Sequence, residues 1–153
     1  MKIYLALYKG KKGGHSPKAL ALRLADWLVR KATDGIYAHC EIAVAKGDGK
    51  YDCYTASLRD GGVRVKTMPL APEKWDLIEL RQDNLHQDLA ALYQRTKGKS
   101  YDYWGALGVV MGHGNSTQKW FCSEWCAVAI GLPEPWRYSP NDLAKHLKSY
   151  PNG

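Results

Sequence analysis

The sequence predicts an α+β fold in which an antiparallel sheet packs against helices. The first half of the chain contains several short segments of alternating polarity, and glycine-rich turn signals separate most of them. Helical patterns dominate the second half. The order of one strand, one helix, a run of strands and then helices is typical of the α+β class.

The size and composition of the chain indicate one globular domain, residues 1–153. With 45% hydrophobic residues the chain can bury a sizeable core, which excludes a disordered protein. We expect neither a signal peptide nor a transmembrane segment, because no apolar run approaches the ~18 residues that a membrane span needs. The four cysteines lack the spacing of a secreted disulfide scaffold, so we expect reduced thiols and a cytoplasmic location. Release by a route without a signal stays open.

The net charge of +7 is compatible with an anionic partner, such as nucleic acid, anionic lipid or a cell-wall polymer. Lysines cluster at residues 9–12 and 97–99. We favour a solubilising surface. The chain contains no recognition-helix pattern, zinc-finger spacing or aromatic and basic interleaving, so we expect no specific nucleic-acid partner.

The first strand and the first helix are predicted by two different periodicities. Residues 2–8 alternate between two faces, as in a half-buried strand. Ser16 and Pro17 supply an N-cap and a first-turn proline for an amphipathic helix over residues 17–32. Its apolar stripe consists of Leu20, Leu24, Trp27 and Leu28.

The strands that follow are separated by turns. Residues 37–45 form a strand, residues 46–50 give a strong hairpin signal, and residues 51–57 form the returning strand. A further short strand opens at Val63. The last strand spans residues 75–80.

Three helices are predicted in the second half. Asn84 caps the first, and Gly98 ends it. A glycine-rich stretch, partly helical and partly loop, covers residues 105–114 and precedes a buried helix that begins near Cys122. Ser139 begins the last helix with a capping-box variant. The inward residues are Leu85, Leu89, Leu92 and Tyr93 in the first of these helices and Leu143 and Leu147 in the last.

Cys122 is the candidate nucleophile because it stands in the first turn of a helix. Backbone N–H groups and the positive end of the helix dipole lie at that position. They favour the thiolate and lower the pKa of a cysteine from its free value of about 8.5. The same N–H groups can hold the oxyanion that forms when a thiolate attacks a carbonyl carbon. A small apolar core residue is the commonplace alternative.

His39 is the candidate base. It shares a strand face with Glu41, whereas Cys40 lies on the opposite face, which is expected to be core. His113, in the glycine-rich stretch, is the rival for this role. If the hairpin turns around Asp48, Thr55 and Ser57 also share the face of His39 and either can orient the imidazole. In a hairpin with a two-residue loop the register slips by one and Tyr54 and Ala56 face His39 instead.

Five segments of the chain resemble the permuted branch of the NlpC-like papain-fold hydrolases, which includes YiiX-type proteins and many small phage and prophage proteins. They are residues 37–44 around His39, 54–63, 101–108, 120–124 with the Cys-Ser-Glu motif, and 139–143. In that branch the histidine precedes the cysteine, reversing the order in papain. The resemblance covers nearly the whole chain.

This resemblance implies a papain-like fold and hydrolysis or acyl transfer on an amide, ester or thioester through an acyl-cysteine. It implies Cys122 as nucleophile and His39 as base. The third polar residue of the family is often Glu or His on the following strand, where this chain has Thr55; Glu41 is an alternative. Substrates compatible with the chemistry are a peptidoglycan peptide, a lipid amide or a protein tail, and no cofactor is expected.

Two other interpretations stay open. The departure at Thr55 is compatible with an inactive binding module that uses the same groove for a peptide or an acyl chain. A metal site formed by Cys122 and Cys126 with His39 or Cys40 is the least favoured, because no paired Cys-x-x-Cys motif is present.

Overall fold

The structure, a computed structural model, describes residues 1–11, 13–100 and 121–150. Within these ranges it contains a five-stranded antiparallel sheet and four α-helices, which confirms the predicted α+β class. The strands are β1 (Ile3–Tyr8), β2 (His39–Ala45), β3 (Tyr51–Ser57), β4 (Gly62–Met68) and β5 (Trp75–Leu80). The helices are α1 (Pro17–Ala32), α2 (Leu85–Thr96), α3 (Cys122–Ala129) and α4 (Pro140–Ser149), with a 3-10 turn at Pro135–Arg137. The predicted glycine-rich stretch and His113 lie outside the described residues.

The strand order β4-β3-β2-β1-β5 places β2 at the centre of the sheet. Leu5 and Leu7 on β1 and Ile42 on β2 are fully buried on one face of the sheet, where they meet Trp125 of α3 and Leu143 of α4. A smaller cluster covers the other face and consists of Ala6, Ala43, Cys53 and Leu70. Both faces of the central strands are therefore buried, so any polar side chain there needs a partner.

The hairpin between β2 and β3 has the register that a turn around Asp48 predicts. Ile42 lies opposite Tyr54 and Ala45 lies opposite Tyr51. Gly47 and Gly49 both adopt the left-handed region, with φ of +87° and +77°, which explains why glycine stands on each side of the turn. The register with a two-residue loop is therefore wrong for this chain.

Two details of the helix ends differ between expectation and structure. Ser139 and Asp142 form the predicted capping box at the start of α4. Asn84, however, does not cap α2 with its side chain; its backbone is left-handed, with φ of +65°, and its carbonyl accepts hydrogen bonds from Gln87 and Asp88. The short side chain of Asn84 is thus used for its tolerance of positive φ rather than for its amide.

Helix α1 has the predicted bounds, but its apolar stripe faces solvent. Leu24 and Trp27 are exposed, while Arg30 turns toward the body and donates from Nη2 to the carbonyl of Gly10 at 2.6 Å. The periodicity of a sequence locates such a stripe but not the side of the helix that meets the domain. Here the inner side is mixed, with Leu22 and Val29 half-buried beside Arg30.

Asn141, in the first turn of α4, fixes the chain between α1 and β2. Its Oδ1 accepts from the N–H of Tyr37 at 3.0 Å, and its Nδ2 donates to the carbonyl of Tyr37 at 2.9 Å and to Oγ1 of Thr33 at 2.6 Å. A Cβ at position 35 would lie 2.1 Å from Asn141 Oδ1, so this approach requires Gly35. The amide therefore sets the point at which the chain enters β2, two residues before His39.

Replacing Asn141 by alanine is expected to destabilise the protein by about 2–3 kcal/mol, since the buried backbone groups of Tyr37 lose their partner. Urea unfolding followed by circular dichroism measures this loss. Asp48→Ala, in an exposed turn, is the control and should change the free energy of unfolding by less than about 1 kcal/mol. Equal stability of Asn141→Ala and the wild type would contradict the assigned role.

Candidate functional site

Cys122 is the first residue of α3, as the sequence predicts for the nucleophile. Phe121 occupies the N-cap position, and its carbonyl accepts from the N–H of Trp125 at 3.0 Å. The indole N–H of Trp125 donates to Oγ1 of Thr96 on α2 at 2.9 Å. This buried bond holds α3 against α2 and so holds the Cys122 sulfur in place at the first turn of α3.

The structure brings Cys122 and His39 together. The imidazole lies close enough to the Cys122 sulfur for each group to shift the pKa of the other. Its Nε2 contacts Oε1 of Glu41 at 2.9 Å, which leaves Nδ1 as the nitrogen that faces the sulfur. The ring of Trp75 packs edge-on beside the imidazole, with 6.5 Å between ring centroids. The side chain of His39 is 19% exposed, so the site keeps an opening to solvent.

Proximity changes the ionisation of both groups. Burial alone would lower the pKa of His39, but the Cys122 thiolate and, next to it, Glu41 outweigh burial and raise that pKa to about 10. A hydrogen bond from Cys40 holds the pKa of Cys122 well below 9.0, and the charge of His39 acts in the same direction against the effect of burial. Both shifts therefore favour the thiolate and imidazolium forms over the neutral thiol and imidazole.

From the sequence, Cys40 was considered only as a core residue and as a possible metal ligand, and its role as a thiol neighbour of Cys122 was missed. Alternation places it on the core face of β2, as expected, yet that face contacts Cys122 at the start of α3. Burial, together with hydrogen bonds to Cys122 and Cys126, raises the pKa of Cys40 well above 9.0. The raised pKa favours the neutral thiol of Cys40, whose proximity lowers the pKa of Cys122. The sequence shows that Cys40 follows His39, but no sequence pattern distinguishes a buried thiol that contacts a second cysteine from an ordinary core cysteine.

Glu41 is the carboxylate that holds His39. It is only 1% exposed, and Arg64 on β4 binds it with both terminal nitrogens, at 2.8 Å to Oε1 and 3.1 Å to Oε2. Burial would raise the pKa of Glu41, but His39 and Arg64 hold it below its ordinary value. A second acid, Asp60, accepts from Nε of Arg64 at 2.8 Å. Arg64 was not identified from the sequence.

The hydroxyls of Thr55 and Ser57 have other partners than His39. Thr55 donates from Oγ1 to the carbonyl of Cys40 at 2.8 Å, and Oγ of Ser57 accepts from the N–H of Asp60 at 3.3 Å. The prediction that either orients the imidazole is therefore corrected in favour of the alternative, Glu41. The physical reason is reach: a short hydroxyl bonds the adjacent backbone, whereas the longer glutamate side chain extends along the strand face to the ring.

A metal site is not supported by the part of the chain that the structure describes. No group of three or more His, Cys, Asp or Glu side chains there is arranged to hold an ion. All four cysteines, Cys40, Cys53, Cys122 and Cys126, are free thiols in the structure.

Among the described residues, each helix is too short or too polar to cross a lipid bilayer.

Comparison of the chain with protein-family models gave no match, and comparison with curated proteins gave none. The papain-like fold and the NlpC-like family therefore remain expectations drawn from sequence motifs. The geometry of the site is the evidence from which a function can be argued.

Replacing Glu41 by glutamine is expected to lower the pKa of His39 from about 10. The amide oxygen can still accept the hydrogen bond, but the negative charge beside the ring is lost. The free energy of unfolding of the variant should also fall by about 2 kcal/mol. Removing one partner of a fully buried ion pair typically costs ~3–5 kcal/mol. The cost is smaller here because Arg64 is only partly buried and keeps its ion pair with Asp60. NMR titration of the imidazole and urea unfolding measure the two effects.

Glu79→Gln on β5 is the matched control, since that carboxylate is exposed and pairs only loosely with Arg81 at 3.5 Å. It should leave both quantities unchanged. An unaltered His39 titration in Glu41→Gln would show that Glu41 does not set the ionisation of the ring.

Proposed function

We propose that the protein is a cysteine hydrolase or acyltransferase that acts on an amide, ester or thioester through an acyl-cysteine intermediate. The contact of Cys122 with His39, whose ring is in turn held by Glu41, is the observation that supports the proposal. Nucleophilic cysteine catalysis requires a thiolate, a group that carries a proton, and a group that orients the proton carrier. These three side chains supply all of them.

In the resting state the proton of the thiol is already on His39. The thiolate of Cys122 attacks the carbonyl carbon of the substrate, a C–S bond forms, and the carbonyl π electrons move to oxygen. The backbone N–H groups in the first turn of α3 lie where they can stabilise that oxyanion. When the oxyanion collapses, the bond to the amine, alcohol or thiol breaks, and His39 donates its proton to the leaving group.

Neutral His39 then acts as base in the second half of the reaction. It removes a proton from water, or from an acceptor amine or alcohol, as that group attacks the acyl carbon. The C–S bond breaks and the thiolate of Cys122 is restored beside an imidazolium. The hydrogen bond between Nε2 and Glu41 keeps Nδ1 directed at the reacting atoms in both halves.

The substrate class is the one that the chemistry defines: an acylated amine, alcohol or thiol. A peptidoglycan peptide, a lipid amide and the tail of a protein each carry such a bond. One observation favours a second candidate, a binding module with little or no turnover: Cys122 is only 5% exposed, so access of an acyl group to the sulfur is narrow.

The ion pair makes a specific prediction for thiol alkylation. Because folding raises the pKa of His39 from 6.5 to about 10, the imidazolium persists in the folded protein until pH rises through about 10; the stability that it contributes is fully present below pH 6.5 and is lost over that window. Because folding lowers the pKa of Cys122 below that of a free cysteine, the thiolate persists as pH falls until the lowered pKa is passed. Iodoacetamide should therefore modify Cys122 at neutral pH, as peptide mapping by mass spectrometry would detect.

Cys53 is the internal control, because burial raises the pKa of this thiol and it lies on the opposite face of the sheet. It should resist alkylation under the same conditions. In His39→Ala the reaction of Cys122 should shift to higher pH. A Cys122 that reacts only under alkaline conditions, with or without His39, would argue against the proposal.

A covalent intermediate is the direct test of turnover. After mixing with an activated aryl ester, the wild type should gain the mass of one acyl group on Cys122 and release the aryl alcohol in a burst. Cys122→Ala should gain none, and His39→Ala should acylate roughly 10²-fold more slowly or worse. Cys53→Ala, the matched control, should behave as the wild type. Acyl chains that bind tightly to both wild type and Cys122→Ala, without any adduct, would instead identify a binding module.

A further inference from the structure

The most unusual surface in the described part of the chain is the outer face of α1. Four large apolar side chains lie on it at helical spacing and are open to solvent: Leu20 at 50%, Leu24 at 57%, Trp27 at 57% and Leu28 at 42% exposure. A single exposed leucine needs no explanation, but a contiguous apolar stripe marks an interaction site. We call this stripe of Leu20, Leu24, Trp27 and Leu28 the apolar face of α1.

The opposite side of the same helix faces the domain and is mixed in character: Ala19, Leu22, Ala25 and Val29 are half-buried there together with Asp26 and Arg30. Arg30 donates to the carbonyl of Gly10, and Thr33, just past the helix, accepts from Asn141. Asp26 lies close enough to Tyr8 of β1 to affect its ionisation. Burial raises the pKa of Tyr8 most, and the negative charge of Asp26 raises it further. Asp26 is the one acid within α1, and it is turned away from the apolar face.

Cations lie around the apolar face. Arg23 is exposed at one margin of the face, where it donates from Nη1 to the carbonyl of Gly14 at 3.3 Å. Lys18 is exposed in the first turn of the helix and Lys31 in the last. Lys11, in the loop that precedes the helix, is also exposed. A helix with leucines and a tryptophan on one side and basic residues at its margins is typical of helices that lie in the interface of a membrane.

We propose that α1 docks parallel to the surface of an anionic lipid bilayer, with its apolar face inserted at the level of the headgroups. Lys18, Arg23 and Lys31 then meet lipid phosphates, and the indole of Trp27 lies at the boundary between headgroups and acyl chains. Helix α1 has 16 residues, so it is about 24 Å long and lies flat rather than spanning the bilayer.

Charge distinguishes a bilayer from a second copy of the chain. If two copies met through this face, Arg23 and Lys31 of both would be brought together, and the only acid of each helix, Asp26, would be directed away from the contact. Like charges at such a contact are unfavourable. An anionic surface supplies the opposite charge to all of these cations at once.

Co-sedimentation of the full-length protein with vesicles tests the proposal. The wild type should bind vesicles that contain roughly equal amounts of phosphatidylcholine and phosphatidylglycerol. It should bind vesicles of phosphatidylcholine alone much more weakly. Leu24→Gln with Leu28→Gln should abolish binding. Arg23→Glu with Lys31→Glu should weaken it by roughly tenfold or more, since each basic residue near the surface contributes to attraction.

Lys46→Glu with Lys50→Glu is the control that makes the same change of net charge in the exposed turn between β2 and β3. It should bind vesicles nearly as the wild type does. Circular dichroism and thermal melting check that all variants fold. The catalytic side chains are intact in every variant, so vesicle binding is measured independently of any turnover.

Four outcomes would overturn the proposal. The first is that the wild type binds neither kind of vesicle, and the second is that it binds both kinds equally. The third is that the control variant loses as much vesicle binding as Arg23→Glu with Lys31→Glu. The fourth is that the wild type has no affinity for lipid and forms a dimer, which Leu24→Gln with Leu28→Gln converts to a monomer. A marked fall in melting temperature of that variant, with no vesicle binding by the wild type, would indicate that another part of the chain covers the face.

Discussion

Burial of the Glu41 carboxylate is the constraint on which the site depends. A carboxylate with 1% exposure in the middle of a sheet is costly unless positive groups surround it. Arg64 supplies the first, and Oε1 is shared between Arg64 and His39. The imidazole lies between Glu41, which contacts its Nε2, and Cys122, and both groups raise its pKa. A charged row results in which signs alternate: Lys66, Asp60, Arg64, Glu41, His39 and Cys122.

The fold produces this row through the registers of three neighbouring strands. Arg64 on β4 lies opposite Thr55 on β3, and the hairpin register, continued by one pair, places Thr55 opposite Glu41 on β2. The three side chains therefore share one face of the sheet. Because Thr55 is small and turns its hydroxyl to the carbonyl of Cys40, the guanidinium of Arg64 can pass over it to reach Glu41. Thr55 contributes to the site by its size rather than by orienting the imidazole.

Local signals in the sequence predicted the elements and half of the site. The placement of Cys122 at a helix start and of His39 and Glu41 on one strand face depends on short-range periodicity, and the structure agrees with it. Arg64 could not be found in this way, because its contact with Glu41 depends on the register of a second hairpin, whose turn at residues 58–61 gives no single predicted register. Cys40 was assigned to the core, and it is core, but its contact with Cys122 depends on how α3 packs on β2.

The orientation of α1 could not be predicted for a related reason. Periodicity shows that one side of a helix is apolar, and the usual inference is that this side is buried. In this protein the side of α1 that meets the domain is instead mixed: Leu22 and Val29 are half-buried there, Arg30 donates to the carbonyl of Gly10, and Asn141 donates to Thr33. The same amide of Asn141 also binds both backbone groups of Tyr37, two residues before His39. The end of α1 and the start of β2 are thus fixed by one side chain. Asn141 therefore helps to set both the orientation of the apolar face of α1 and the position of the His39 imidazole, although these lie on different surfaces of the molecule.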